Sequence, residues 1–168
     1  QTFSTMPAVS QQHARELLAR LDGGRLILRG DVLRDDDEFL SFGLDRTKTV
    51  APDYSALVFV SSTGETARVV QCCAERDIAI VPSGGRTGLA GGAVAAGGEL
   101  VLSFARMDRL LEYDPHLPAL RVEAGMITQT AAELAAERGY QFPLDLAASG
   151  SSQVGGNIAT NAGGTRVL

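Results

Sequence analysis

Lysine is almost absent from this sequence: among 15 basic residues only Lys48 is a lysine, and the net charge is −5. The chain has no basic run or stripe, so it lacks the electrostatic footprint of a nucleic-acid-binding protein. The same shortage removes the Gly-Lys-Ser/Thr of a Walker A loop, which argues against a site for ATP or GTP.

Cysteine is equally scarce, since the only two are the adjacent Cys72 and Cys73. Adjacent cysteines do not have the C-x-x-C spacing of a redox motif, and no second pair completes a zinc site. They fall in an apolar helical pattern, so we predict buried or semi-buried free thiols in a reducing cytosol. The acidic run from Asp35 to Glu38 is predicted to be a solvated turn rather than a metal site.

No run of 18 apolar residues occurs, and the segment Gln1 to Ser10 lacks the apolar core of a signal peptide. We therefore expect a cytoplasmic protein, and peripheral association with a membrane stays open. The sequence does not begin with Met, and it stops just after a glycine cluster. These two features lead us to expect an incomplete chain.

The middle of the chain is typical of a βαβ unit. Ala56 to Val60 is a β-branched apolar run that predicts a strand, and Ile78 to Val81 predicts a second strand. Between them, Ser62 and Glu65 form a capping-box pattern that opens a helix over residues 64 to 76. The other expected elements are a helix after Ser10 ended by Gly23-Gly24, an irregular region at 30 to 55, a strand at 99 to 103, extended segments at 111 to 113 and 120 to 123, a helix from Thr128 closed by Gly139, and a short helix at 154 to 160.

Glycine is abundant, with 19 residues gathered mainly at positions 84 to 98 and 150 to 164. The first cluster, Pro82 to Gly92, follows the second predicted strand. Glycine permits positive φ and leaves room for a ligand, so successive N–H groups can converge on an anion. Ser83 and Thr87 add hydroxyl donors. The glycines are paired, unlike G-x-G-x-x-G, so we predict a phosphate or pyrophosphate ligand outside the Rossmann type. For this loop alone, a ligand-free surface loop stays an alternative.

The second cluster, Ser149 to Gly164, consists largely of small residues with amides and hydroxyls among them. Asn157, Thr160 and Asn161 supply donors and acceptors. A tight loop capping a helix would explain one glycine pair but not the whole segment. Two loops rich in backbone donors suit a long ligand with a charged middle, such as FAD with its pyrophosphate. Because the chain has so few lysines, backbone N–H groups would have to neutralise that charge.

Three segments, Pro82 to Leu89, Phe142 to Asp145 and Gly155 to Gly164, resemble the FAD-linked oxidase family of the vanillyl-alcohol oxidase or p-cresol methylhydroxylase type. Within it, the resemblance is greatest to D-2-hydroxy acid dehydrogenases, which include D-lactate, glycolate and D-2-hydroxyglutarate dehydrogenases. It implies an α+β fold of the p-cresol methylhydroxylase type, with FAD between two subdomains. Residues 1 to 44 are then a lead-in, and residues 45 to 168 are the FAD-binding domain, truncated at its C-terminal end.

The resemblance also implies the cofactor contacts. Around the pyrophosphate these are Ser83, Gly84, Gly85, Arg86, Thr87, Gly88 and Leu89, which follow the cofactor-binding Pro82. Along the rest of FAD they are Pro143, Gly150, Ser151, Gly155, Gly156, Asn157, Ala159, Thr160 and Asn161. Some family members attach the flavin through a histidine in the first loop. Arg86 occupies that position here, and His13 and His116 lie outside both loops. We therefore expect non-covalent FAD.

By the same resemblance, a 2-hydroxy acid would transfer a hydride from its α-carbon to flavin N5. The family's catalytic and metal-binding residues lie beyond the Gly-Gly-Asn segment, so no catalytic residue or metal ligand is named, and the 168-residue chain alone is expected to be inactive. An electron-acceptor protein or quinone and a homodimer are compatible partners. Two alternatives stay open: an FAD oxidase acting on a sugar lactone or alcohol, and a non-catalytic flavin-binding subunit.

Overall fold

A computed structural model describes residues 7–32 and 36–163 of the 168-residue chain. It is a mixed helix and strand fold that divides into two compact units, Gln1–Arg106 and Met107–Leu168. No helix in the described ranges is long and apolar enough to cross a lipid bilayer.

The first unit is built on a four-stranded sheet. Its strands are β1 (Arg25–Leu28), β2 (Ala56–Phe59), β3 (Ile80–Ser83) and β4 (Leu100–Ser103), in the order β1-β2-β4-β3. The last three run parallel, whereas β1 is antiparallel to β2. The predicted βαβ unit is confirmed, with β4 inserted between its two strands. All four residues of β4 are buried, which suits a central strand.

Two helices of this unit begin where serine caps them. Ser10 accepts from the N–H of His13 and starts α1 (Gln11–Leu18), and Ser62 accepts from the N–H of Glu65 and starts α3 (Thr63–Ala74). Cys72 and Cys73 are free and buried in α3, as predicted. Burial raises the pKa of the Cys73 thiol to about 11, which keeps it protonated and unreactive at neutral pH.

The second half of the predicted capping box was wrong. The Glu65 side chain, only 1% exposed, accepts from the backbone N–H groups of Asp22, Gly23 and Gly24 at 2.6–3.1 Å and from Ser61 at 2.8 Å. It therefore ties the turn before β1 to the start of α3 instead of closing its own helix.

The predicted irregular region is also more ordered than expected. Within residues 30 to 55, α2 (Asp37–Ser41) follows the N-cap Asp36, whose carboxylate accepts from the N–H of Phe39 at 2.9 Å. Just before this region lies β1, for which the sequence predicted no strand. The acidic run is thus the start of a helix and not a turn, although Asp35 lies outside the described residues. Phe39 stacks on Tyr54 with ring centroids 4.5 Å apart, inside a buried cluster with Leu57, Ala95 and Val101. Burial of these two rings stabilises an ordered structure in a segment whose polar sequence predicted an irregular one.

The second unit contains the hairpin of β5 (Leu110–Asp114) and β6 (Ala119–Val122), followed by α4 (Thr128–Ala136) and α5 (Val154–Ala159). These elements match the predicted ones, and Gly139 has the positive φ, +78°, of a helix-ending glycine. At the base of the hairpin, the Arg109 guanidinium donates to both oxygens of Glu123 at 3.0 and 2.8 Å.

Candidate cofactor-binding loops

The first predicted loop begins two residues later than expected. Pro82 and Ser83 are the last residues of β3, in register with Leu102 and Ser103 of β4. Because β3 is an edge strand, proline can take a position there without losing a ladder hydrogen bond on its free side. The first glycine loop is therefore residues 84–92, and it leaves the carboxyl end of a parallel strand, where ligands commonly bind in α/β sheets.

The backbone of this loop is largely unused by the protein. Within the described residues, the N–H groups of residues 84 to 90 donate to no protein acceptor. A methyl group added to Gly88, Gly91 or Gly92 would meet nothing within 4 Å, so packing does not require these glycines. Open donors beside absent side chains are what an anion-binding nest requires.

Residues 42 to 46 are hydrogen-bonded to Ser83 and to the first glycine loop. The hydroxyl of Ser83 donates to the carbonyl of Phe42 at 2.9 Å, and the N–H of Arg46 donates to the carbonyl of Gly88 at 3.1 Å. The N–H of Gly91 donates to Oδ2 of Asp45 at 3.1 Å. Sequence reasoning missed Phe42 and Asp45, since their partners lie more than 40 residues away along the chain.

Arg86 places a positive charge in the loop. Its guanidinium carbon lies 4.4 Å from the centroid of the Phe42 ring, and the backbone has a φ of +57°. Burial lowers the pKa of Arg86 from its ordinary value. Among the described residues, no aspartate or glutamate forms an ion pair with it. A half-buried cation beside open N–H groups suits an anionic ligand, because a buried charge is costly unless it is compensated.

The glycine pair of the second loop has two different roles. Gly155 donates its N–H to the carbonyl of Ala124 at 2.8 Å, and a methyl group there would lie 2.7 Å from the Ala124 side chain. Packing inside the second unit therefore requires Gly155. Gly156 is exposed, and an added methyl group would meet nothing within 4 Å. Of these two glycines, Gly156 is the one that leaves open space where a ligand could approach.

Part of the predicted polar surface of this loop is used internally. The Asn157 amide nitrogen donates to Oγ1 of Thr128 at 2.6 Å, where both side chains are buried. The Thr160 hydroxyl donates to the carbonyl of Gly156 at 2.9 Å. Exposed residues of this loop include Asn161, at a φ of +49°, and Ile158, which is 76% exposed. An exposed isoleucine beside Gly156 gives this surface an apolar component.

Pro143 lies at a cavity of about 270 Å³ in the second unit. The cavity is lined by Thr128, Gln129, Ala132, Gln141, Phe142, Pro143, Leu144, Asp145 and Ser149. Because Ser149 directly precedes Gly150 and Ser151, the structure brings Pro143 near the start of the second loop. The two predicted loops belong to different units, 84–92 to the first and 149–163 to the second, and Gly164 lies outside the described residues.

Comparisons with known proteins identify a family for this sequence. A family model described as "FAD binding domain" matches residues 54–168. D-2-hydroxyglutarate dehydrogenase of Stutzerimonas stutzeri is 43% identical over 143 residues, which are 85% of this chain and 31% of that protein. D-lactate dehydrogenase of Anaerostipes hadrus is 37% identical over 145 residues, which are 84% of this chain and 29% of that protein. The chain thus spans about a third of the length of these relatives.

Solved structures show the same fold. The structure of p-cresol methylhydroxylase with bound substrate superposes with a TM-score of 0.66 over 94% of this chain and 31% of that chain, at 19% identity. The predicted fold of the p-cresol methylhydroxylase type is therefore confirmed.

Proposed function

We propose that this chain, which belongs to the FAD binding domain family, holds FAD in an oxidoreductase that converts a D-2-hydroxy acid to the 2-oxo acid. The observation that carries the substrate class is the similarity to relatives named D-2-hydroxyglutarate and D-lactate dehydrogenases. When bound, FAD supplies a two-electron acceptor for the hydride of the substrate α-carbon.

The residues of the first loop are proposed to hold the pyrophosphate. Two features support this assignment: the backbone N–H groups from Gly84 to Leu89, which have no acceptor among the described residues, and the guanidinium of Arg86, which has no carboxylate partner among them. The Thr87 hydroxyl adds a donor. Pro82 and Ser83 act by leading the loop out of β3, and the Ser83 hydroxyl is already used by Phe42.

The residues of the second unit are proposed to contact the rest of FAD. Gly156, Ala159 and Asn161 are exposed, and with Gly150, Ser151 and Pro143 they offer small or flat surfaces to a planar ring. Gly155, Asn157 and Thr160 are proposed to act by shaping this surface, since their groups bond to Ala124, Thr128 and Gly156.

Non-covalent attachment follows from the residue at the histidine position. Arg86 cannot form the covalent link that the resemblance assigns to a histidine, so acid precipitation of FAD-loaded protein is expected to leave all flavin in the supernatant. Replacing Arg86 by lysine, which keeps the charge, serves as the matched variant and should also release its flavin. Flavin absorbance retained in the washed pellet would contradict non-covalent binding.

The substrate class is tested by anaerobic bleaching of the flavin. Adding D-2-hydroxyglutarate or D-lactate to the FAD-loaded full-length protein is expected to remove the visible flavin absorbance, because the hydride and its electron pair reduce the flavin while the hydroxyl proton leaves. The L-enantiomers serve as controls. Bleaching only by sugar lactones or alcohols would favour an oxidase of another substrate class, and full-length protein that holds FAD but resists every donor would favour a flavin-binding subunit.

The electron acceptor, the homodimer and the cytoplasmic location stay predictions. The start of the FAD-binding domain at residue 45 is likewise a prediction; β1, in the lead-in of residues 1 to 44, is hydrogen-bonded to β2 of the same sheet.

A further inference from the structure

We propose that Asp45 is a positioning residue that holds the first glycine loop in its FAD-binding shape. This role rests on the proposed function of residues 84 to 89 as the pyrophosphate site. Asp45 itself contacts no open N–H group of that site; it acts through Gly91, at the end of the loop.

The carboxylate of Asp45 joins two segments that are 46 residues apart in sequence. Its Oδ1 accepts from the N–H and hydroxyl of Thr47 at 2.9 and 2.6 Å and from the N–H of Lys48 at 3.3 Å. Its Oδ2 accepts from the N–H of Gly91 at 3.1 Å. With one oxygen fixed by its own turn, the other is oriented towards the loop. Asp45 is 4% exposed, so water does not compete strongly for these bonds.

The hydrogen bond between Asp45 and Gly91 restrains the loop at a residue with a left-handed backbone conformation. Gly91 has a φ of +80°, and the neighbouring bond from Arg46 to the carbonyl of Gly88 fixes a second point three residues earlier. Parallel N–H dipoles in a nest repel one another and gain nothing from the protein before the anion binds. Two external anchors, at residues 88 and 91, therefore keep the donors converged and lower the ordering cost of binding. The hydrogen bond from Thr47 lowers the pKa of Asp45, which keeps this anchor ionised at neutral pH.

Glu65 offers a matched control within the same unit. It is also a buried carboxylate that accepts several backbone N–H bonds, but its partners are Asp22, Gly23, Gly24 and Ser61, and none belongs to the glycine loop. Loss of either carboxylate should lower stability, whereas only the loss of Asp45 should change FAD affinity in the folded protein.

The test compares FAD affinity and backbone exchange in Asp45→Ala and Glu65→Gln apoprotein. Titration with FAD, well below each unfolding midpoint, is expected to give a Kd about 10- to 100-fold weaker for Asp45→Ala, in line with losing a hydrogen bond to a charged group, and an unchanged Kd for Glu65→Gln. Hydrogen–deuterium exchange should rise in residues 88 to 92 only in Asp45→Ala. If Asp45→Ala does not fold, Thr47→Val, which removes one bond that orients the carboxylate, should show a smaller change in the same direction.

Each result decides the role of Asp45. Wild-type FAD affinity with unchanged exchange at residues 88 to 92, in Asp45→Ala or in the substitute Thr47→Val, would overturn the positioning role while leaving the proposed function intact. Equal weakening by Glu65→Gln would also overturn it, because general destabilisation would then be the cause. A wild-type protein that binds no FAD would instead contradict the proposed function itself.

Discussion

Replacing Gly156 by leucine is expected to weaken FAD binding roughly 100-fold without destabilising the fold, because forcing a side chain into an occupied contact costs about 1–3 kcal/mol. The position is exposed and has nothing within 4 Å of an added methyl group. Packing around the Cβ position therefore does not oppose the substitution, and we expect the new side chain to collide with bound FAD. Thermal unfolding of the apoprotein and FAD titration measure the two effects separately.

Gly30→Leu provides the matched control for this substitution. Gly30 is also exposed with nothing within 4 Å of an added methyl group, but it lies in the 3₁₀ turn Arg29–Asp31, outside both loops. We expect wild-type FAD affinity in this variant. Unlike Gly156→Leu, the Gly155→Ala variant should lower the stability of the fold, since its methyl group would lie 2.7 Å from Ala124. FAD binding by Gly156→Leu at the wild-type level would mean that the second loop is only structural at this position.

Replacing Glu65 by glutamine is expected to lower the free energy of unfolding by about 3 kcal/mol at neutral pH. The carboxylate accepts from four backbone N–H groups, and a glutamine amide would turn an NH₂ donor towards some of them. Glu99→Gln is the matched control, because the Glu99 side chain also accepts a backbone hydrogen bond, from the N–H of Gly97 at 2.8 Å, but that bond is exposed to solvent. That variant should stay within about 0.5 kcal/mol of the wild type.

Titration of the same glutamate is expected to lower the free energy of unfolding at acidic pH. Burial raises the pKa of Glu65, but the backbone hydrogen bonds outweigh it and hold the pKa at about 2, below its ordinary value of 4.5. A pKa lowered in the folded state means that the stabilisation is complete above about pH 5 and is lost as the pH falls through 4.5 towards 2. A shift of this size corresponds to about 3 kcal/mol.

Denaturant unfolding between pH 7 and pH 3 measures this contribution. The wild type should lose more stability over that range than Glu65→Gln, whose amide does not titrate. Parallel stability profiles for the two proteins would contradict the assignment of the low pKa to Glu65.

Local sequence signals predicted the elements they encode directly. The N-caps Ser10 and Ser62, the two strands of the βαβ unit and the helix-ending Gly139 need only neighbouring residues, and each was found in the structure. β1 is only four residues long, too short for a periodic pattern to stand out.

Contacts distant in sequence could not be predicted. Glu65 satisfies the Ser-x-x-Glu pattern, but the N–H groups of Asp22 to Gly24 are brought to it by the antiparallel pairing of β1 with β2. The Asp45-x-Thr47 spacing is typical of a turn in which an aspartate binds backbone two residues on, yet nothing in it indicates Gly91. The sequence also presents Gly155 and Gly156 as equivalent, and only the packing of Ala124 separates a structural glycine from an open one.

Titration of the purified apoprotein with FAD, with FMN in parallel, tests the central claim most directly. If two glycine loops hold a pyrophosphate-containing flavin, one FAD should bind per chain, remain bound through gel filtration and leave the protein yellow. FMN, which lacks the pyrophosphate bridge and the adenosine, should bind much more weakly. Absence of FAD binding, or equal affinity for FMN, would contradict the assignment of these loops.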